Sequence, residues 1–257
     1  MLSEDPQLLE AWVESSMTGK RLNEYKINHH PAVDGKDYPY TECFLETTDE
    51  PFAIHLRMKD KRLFDSREWR AKCCVDGRKL GSSWDSPSRV FSRIIQEEDG
   101  KLLESKLKFS PLPTTDEEQQ VSIDSKTLQA LGTITIQIQS GKWIPNTNKR
   151  KNWSKLVSGV AHEKSKKIPY VVQACDTKIA PETPKICYNF HPDKKGSAFY
   201  RFVFNYRPRP VLQLIGAINE NELPEIPSQK RKSPITGDGT TSKQVKLEKI
   251  KVERSKR

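Results

Sequence analysis

Long apolar runs are missing from this chain of 257 residues. Nowhere do 18 apolar residues follow one another, and even Val203 to Ile218 is broken by Asn205, Arg207, Arg209 and Gln213, so no membrane-crossing helix is expected. The opening MLSEDPQLLEAWVES has acids where a secretory signal needs basic residues, and no apolar core follows, so export is not expected either. Cysteine is scarce and odd in number, at Cys43, Cys73, Cys74, Cys175 and Cys187. Such a set fits no disulfide framework and is expected to stay reduced inside the cell, where the sequon Asn152-Trp153-Ser154 has no use.

The signatures of common chemistries are also missing. There is no G-x-S-x-G, no G-x-x-x-x-G-K-[ST] and no G-x-G-x-x-G, which removes the usual nucleophile elbow and phosphate-cradling loops. Ser105-Lys106-Leu107-Lys108 matches S-x-x-K but lies in a strand pattern without companion motifs. His162, Cys175, Cys187 and His191 share one window of about thirty residues, yet structural zinc sites draw paired ligands two to four residues apart, and only Cys187 to His191 approaches that. Glu97-Glu98-Asp99 beside Gly100 reads as a solvated turn. No catalytic residue, cofactor or metal is therefore assigned, and an enzyme is not expected.

What is present is a divided charge distribution. Hydrophobic residues at 34% against 30% charged lie on the polar side of globular usage, so part of the length is expected to stay outside any core. The segment Ser228 to Arg257 holds 10 Lys+Arg against 3 Asp+Glu, and Lys142 to Lys178 holds 9 against 2. The remainder carries 25 basic and 29 acidic residues, so the formal +10 is confined to two segments. Basic appendages on a slightly acidic body point to an anionic partner.

Between those segments the pattern is that of strands. Tyr200, Phe202, Phe204 and Tyr206 alternate with mixed residues, which places an aromatic row on one side of an extended segment. Phe52, Ile54, Leu56 and Met58 alternate in the same way, as do Ile134, Ile136 and Ile138. Asp76-Gly77 predicts a tight hairpin turn between Trp69–Val75 and Arg78–Leu80, and Glu97 to Gly100 predicts a looser one between Arg89–Gln96 and Leu102–Phe109. Residues 9–28 read as a hairpin through Thr18-Gly19-Lys20, Ser125 to Leu131 as a helical turn, and Cys73 and Cys74 as pointing to opposite faces of a strand. Short strands at such spacing predict a mainly β fold, an antiparallel β-sandwich of jelly-roll or immunoglobulin-like type over residues 1–218. Within it, 142–196 reads as a long basic excursion between the last two strands, eased by a short helix near Lys155 to Lys166. Residues 219–257 read as a disordered basic tail, since Ser228 to Arg257 has no aromatic residue.

The blocks Ala11-Trp12-Val13, Leu22-Asn23-Glu24-Tyr25, Cys43-Phe44, Phe52-Ala53-Ile54, Gly132-Thr133-Ile134, His162 to Lys167 and Tyr206-Arg207-Pro208-Arg209 to Gln213 resemble, in this order, an uncharacterised fungal family, domain of unknown function 7918. The resemblance covers roughly residues 8 to 218. It implies a fungal source and a predominantly β domain, and it supplies no activity or site residues. Pro210 departs from the family pattern and is expected to shorten the last strand.

Two kinds of partner follow from the basic segments. Lys149, Arg150 and Lys151 lie between Trp143 and Trp153, and Lys164, Lys166 and Lys167 follow. These cations suit an anionic partner, including nucleic acid bound without sequence preference, with the tryptophans either stacking on bases or anchoring the excursion. In the tail, Lys230-Arg231-Lys232 matches a nuclear-import signal, and Ser233 before Pro234 is placed where a phosphate would weaken it. Val245-Lys246-Leu247-Glu248 and Ile250-Lys251-Val252-Glu253 resemble the pattern at which the small ubiquitin-like modifier is attached, at Lys246 and Lys251. The chain is accordingly expected to be a non-enzymatic binding or scaffold module of the nucleus, with nucleic-acid binding as the alternative.

The tail has too little apolar surface to offset its ordering entropy. Limited proteolysis is expected to leave a resistant fragment ending near Ile218, and a resistant fragment that keeps Lys243 to Arg257 would contradict this boundary.

Overall fold

Alternating apolar residues build strands along most of the chain, and two stacked sheets bury them. A computed structural model describes residues 1, 8–32, 38–81, 84–146, 155–163, 170–180, 187–193 and 199–219. In chain order the elements are β1 (Leu9–Ser15), β2 (Glu24–His30), β3 (Tyr40–Glu46), β4 (Pro51–Met58), α1 (Lys61–Asp65), β5 (Glu68–Val75), β6 (Arg78–Gly81), β7 (Ser88–Phe91), β8 (Arg93–Glu98) and β9 (Lys101–Pro111). There follow β10 (Thr114–Thr115), α2 (Ser125–Ala130), β11 (Thr133–Asn146), β12 (Ala161–His162), β13 (Tyr170–Ile179), β14 (Cys187–Pro192), β15 (Tyr200–Arg207) and α3 (Arg209–Leu214). The compact unit runs from Met1 to Glu222.

One sheet has six strands in the order β1-β4-β9-β13, with β7 on β4 and β8 on β9. A second has seven in the order β2-β3-β15-β11-β5-β6, with β14 on β11, and β10 with β12 forms a third of two strands. The inner faces of the two large sheets share one core: Phe52 of β4 stacks on Phe109 of β9 at 4.1 Å, and Phe109 meets Tyr206 of β15 at 4.8 Å. The aromatic row Tyr200, Phe202, Phe204 and Tyr206 is buried, as are Ile134, Ile136 and Ile138 beside it. The β-sandwich expected from the sequence is thus the fold. Its pairing is not wholly antiparallel, because β15 runs parallel to β3 in the larger sheet and β10 parallel to β12.

Both predicted turns form, each on two residues with positive φ. Asp76 and Gly77 have φ of 51° and 74°, and Asp99 and Gly100 have 49° and 73°. The second turn is tighter than expected, since Glu97 and Glu98 pair as strand residues with Leu102 and Lys101. Cys73 is buried and Cys74 half-buried on the opposite face, where burial pushes both thiols up. The last strand stops at Arg207, and Pro208 and Pro210 open the helix α3, because proline suits a first turn whose donors have no intrahelical partner.

Two expectations are overturned. Residues 9–28 turn at Gly19 and close only briefly, through Ser15 N–H to Lys20 O at 2.9 Å and Leu22 N–H to Val13 O at 2.9 Å. The chain then changes sheets: β1 pairs with β4, and β2 with β3. The segment 142–196 is not an excursion without regular structure. It continues β11 to Asn146 and supplies β12, β13 and β14, of which β13 pairs with β9 over most of its length. The short helix expected near Lys155 to Lys166 does not form over residues 155–162, and residues 164–166 lie outside the described residues. The reason is local: Tyr170-Val171-Val172, one aromatic and two β-branched residues, follows Pro169 directly, favours a strand, and buries Val171 and Val172.

Phe202 and Phe204 are both fully buried in the shared core. Replacing either by Ala is expected to cost about 3 to 5 kcal/mol in denaturant unfolding, and a loss below about 1 kcal/mol at both would contradict the packing described.

Candidate functional site

Side chains with chemistry to offer collect where the turn between β5 and β6 meets the stretch that precedes β12. Gly77 has no side chain to clash, and a Cβ there would lie 2.8 Å from Ala130 Cβ, so the turn packs directly on α2. Asp124 caps α2, accepting from Thr127 N–H at 2.7 Å and from the Thr127 hydroxyl at 2.8 Å, and these bonds hold its carboxyl below the usual range. Residues 155–163 are pinned opposite by a small second core of Leu112, Ile123, Leu131, Val157, Ala161 and Val171. Backbone bonds complete the attachment: Ser122 N–H to Val160 O at 3.0 Å, Val160 N–H to Ser122 Oγ at 2.9 Å and Ala161 N–H to Pro113 O at 3.0 Å.

Between these parts lies a cleft of about 560 Å³. Arg78, Lys79 and Lys155 bring three cations to it from two separate segments, and Ser122 and Ser158 bring hydroxyls. Among the described residues Asp124 is the one carboxylate in its lining, and it is occupied by Thr127. Among the described residues neither Arg78 nor Lys155 pairs with a carboxylate. The lining is therefore net positive and concave, suited to an anionic group that brings acceptors for both guanidinium and hydroxyl donors.

The sequence places further basic residues at both ends of the same pinned stretch. Lys149, Arg150 and Lys151 precede Lys155, and Lys164, Lys166 and Lys167 follow Glu163. These six lie outside the described residues, as do Trp153, Ser233 and the tail positions Lys230, Arg231, Lys232, Lys246 and Lys251. Trp143 is described and is an anchor: its indole N–H donates to Trp69 O at 3.0 Å, and its ring meets Phe190 edge-on at 4.9 Å. Nothing local in the sequence marks Arg78 or Ser122 as functional, since a charged residue after Asp-Gly reads only as a hairpin flank and Ser122 lies in a polar stretch.

The remaining sequence candidates are dispersed. His162 lies on β12, Cys175 on β13 and His191 on β14, and among the described residues no group of three or more His, Cys, Asp or Glu is placed to hold a metal ion. Ser105 is buried in β9 with its hydroxyl on Thr177 at 2.9 Å, while Lys106 pairs with Asp176 at 2.9 Å. Burial pushes the thiols of Cys43 and Cys175 up as well, away from the thiolate that nucleophilic chemistry requires.

The family described as Domain of unknown function (DUF7918) matches residues 11–221. No curated protein and no solved structure matches the chain.

Beneath the turn, Asp76 is buried and its carboxylate accepts from Gly132 N–H at 2.7 Å, the Tyr206 hydroxyl at 2.6 Å and Val172 N–H at 2.9 Å. Burial pushes its carboxyl up to about 6, and the donors pull the other way without offsetting it. A carboxyl near 3.8 when unfolded and about 6 when folded binds more protons in the folded state between those values. Its contribution is complete below about 3.8 and is lost as pH rises through about 6, a difference of about 3 kcal/mol. An NMR titration of the Asp76 carboxyl carbon is expected to give a midpoint near 6, with unfolding stability declining over that window more steeply than in Asp76→Asn. A midpoint near the ordinary value would overturn this.

Proposed function

The chain belongs to the DUF7918 family, whose description assigns no activity, and on that premise we propose that it is a non-enzymatic binding module of the nucleus that engages an anionic partner at the cleft of Arg78, Lys79 and Lys155. The observation that carries the reading is the convergence of these cations on one concave surface whose pinned stretch is flanked in sequence by Lys149–Lys151 and Lys164–Lys167. From Lys142 to His162 the chain has five basic residues and no carboxylate. A field of that kind attracts a polyanion and adds affinity that salt removes.

The nuclear part rests on the tail. Lys230-Arg231-Lys232 supplies a basic run of the type that import receptors read, with Ser233 as a phosphate-controlled neighbour and Lys246 and Lys251 as points of modifier attachment. Lost lysine charge there would trim the tail's positive field.

Two measurements test the two parts. For the cleft, retention of residues 1–227 on an immobilised polyanion is expected to require markedly less salt for elution in an Arg78→Ala, Lys155→Ala double variant, and unchanged elution would sink the cleft. For the tail, a tagged full chain with Lys230, Arg231 and Lys232 all changed to Ala is expected to stay cytoplasmic, and an unchanged nuclear signal would remove the import role.

A further inference from the structure

We propose that the cleft takes a phosphate monoester, carried by a small molecule or by a phosphoserine side chain, with Arg78 and Lys155 holding the phosphate and Ser122 donating to it. This rests on the anionic-partner reading above and names the ligand's chemistry. Among the described residues, Arg78, Lys79 and Lys155 line the cleft against the single carboxylate of Asp124, so three positive charges less one negative leave it doubly positive. A phosphate monoester carries about −1.5 to −2 at neutral pH, whereas the diester unit of a nucleic acid carries a single negative charge. The monoester is the one that balances the lining at one place.

Placement separates the two further. A polymer backbone strings single charges along a line and is met by cations spaced along an open groove. Here Arg78 opens β6 and Lys155 begins the pinned stretch, so the two reach one concave site from separate walls. Its volume of about 560 Å³ lies within the range of about 300 to 1,000 Å³ typical of sites for single small ligands. That is room for a phosphate together with the group it esterifies. Ile123 and Val157, buried in the second core, line the same cleft, and apolar walls strengthen the pairing of charges beside them.

Ser122 is built for donation. Its backbone N–H is spent on Val160 O at 3.0 Å, and its Oγ accepts from Val160 N–H at 2.9 Å, so the hydroxyl proton remains to be given to an acceptor. Gly159 makes this possible, since φ there is 132° and a Cβ would lie 2.4 Å from Ser122 Oγ. A side chain at that position would displace the hydroxyl from the cleft wall. Thr127 offers no such proton, because its hydroxyl already donates to Asp124. The terminal phosphate of a monoester has three oxygens to share among a guanidinium fork, an ammonium and a hydroxyl, and a diester has fewer.

The test uses the full chain in titration calorimetry with ethyl phosphate, diethyl phosphate and a blocked Ala-phosphoserine-Ala peptide, beside the salt needed to elute the chain from heparin. At least one monoester is expected to bind about tenfold more tightly than diethyl phosphate, the worth of one further bond to a charged group. Arg78→Lys keeps the charge and loses the planar fork; it is expected to weaken monoester binding about tenfold while heparin elution and melting temperature stay as in the wild type. A peptide that binds more tightly than ethyl phosphate assigns the phosphate to a protein, and one that binds no more tightly assigns it to a small molecule. Diethyl phosphate binding as well as both monoesters would overturn the monoester site, as would monoester binding that Arg78→Lys leaves unchanged or weakens no more than heparin retention. Heparin retention that depends on Arg78 and Lys155, without monoester binding, would overturn the site and leave the anionic-partner reading standing. Heparin retention untouched by Arg78→Ala with Lys155→Ala, together with no monoester binding, would overturn both.

Discussion

The Asp76 carboxylate ties together parts of the molecule that have no covalent reason to meet. Its acceptors reach Gly132 at the start of β11, Val172 on β13 and Tyr206 on β15, which are 56, 96 and 130 residues further along the chain. Val172 belongs to the six-stranded sheet, Tyr206 to the seven-stranded one, and Gly132 directly precedes β11 of the latter, so this single side chain fixes one sheet against the other. Burying a carboxylate is costly, and bonds to a charged acceptor recover about 1.5 to 3 kcal/mol each. The arrangement is cooperative, because losing one donor leaves the charge buried with fewer partners.

Everything at the cleft is referred to that point. Because Asp76 is held from below, Gly77 and Arg78 stand at a fixed height over α2, and Gly77 is in contact with Ala130. On the far side the second core holds Val157 and Ala161 against Ile123 and Leu131. The cations of the two walls therefore do not depend on their own flexible stems for placement, only for final reach. The proposed partner meets a surface whose backbone is already set, which limits the ordering cost of association.

How far the sequence anticipates this depends on the range of each interaction. The rows Tyr200–Tyr206, Phe52–Met58 and Ile134–Ile138 were legible because alternation is a local property that burial then enforces. The turns at Asp76-Gly77 and Asp99-Gly100 were legible because positive φ needs particular residue types. The change of sheet after Leu22 was not, since a glycine turn looks the same whether the next strand returns or departs. β13 and β14 were hidden by the basic and proline-rich residues around them, although Tyr170-Val171-Val172 carried a strand signal. In the sequence Asp76 has only the look of a turn residue, because none of its three donors lies within fifty residues of it. The cleft likewise joins Arg78 to Lys155, and no local pattern announces a meeting across that separation.

The parallel alignment of β15 with β3 bears on how the chain reaches this state. β15 lies in the interior of the larger sheet, between β3 and β11, and a Thr41 hydroxyl to Tyr200 hydroxyl bond at 2.5 Å joins positions 159 residues apart. Without β15 the pairs β2 with β3 and β11 with β5 have no strand joining them in the larger sheet, and each keeps an unpaired edge. Loop closure over such a distance must precede any pairing that rewards it. The larger sheet is therefore completed by insertion of a central strand between two edges, and until then the chain is most open to wrong pairing.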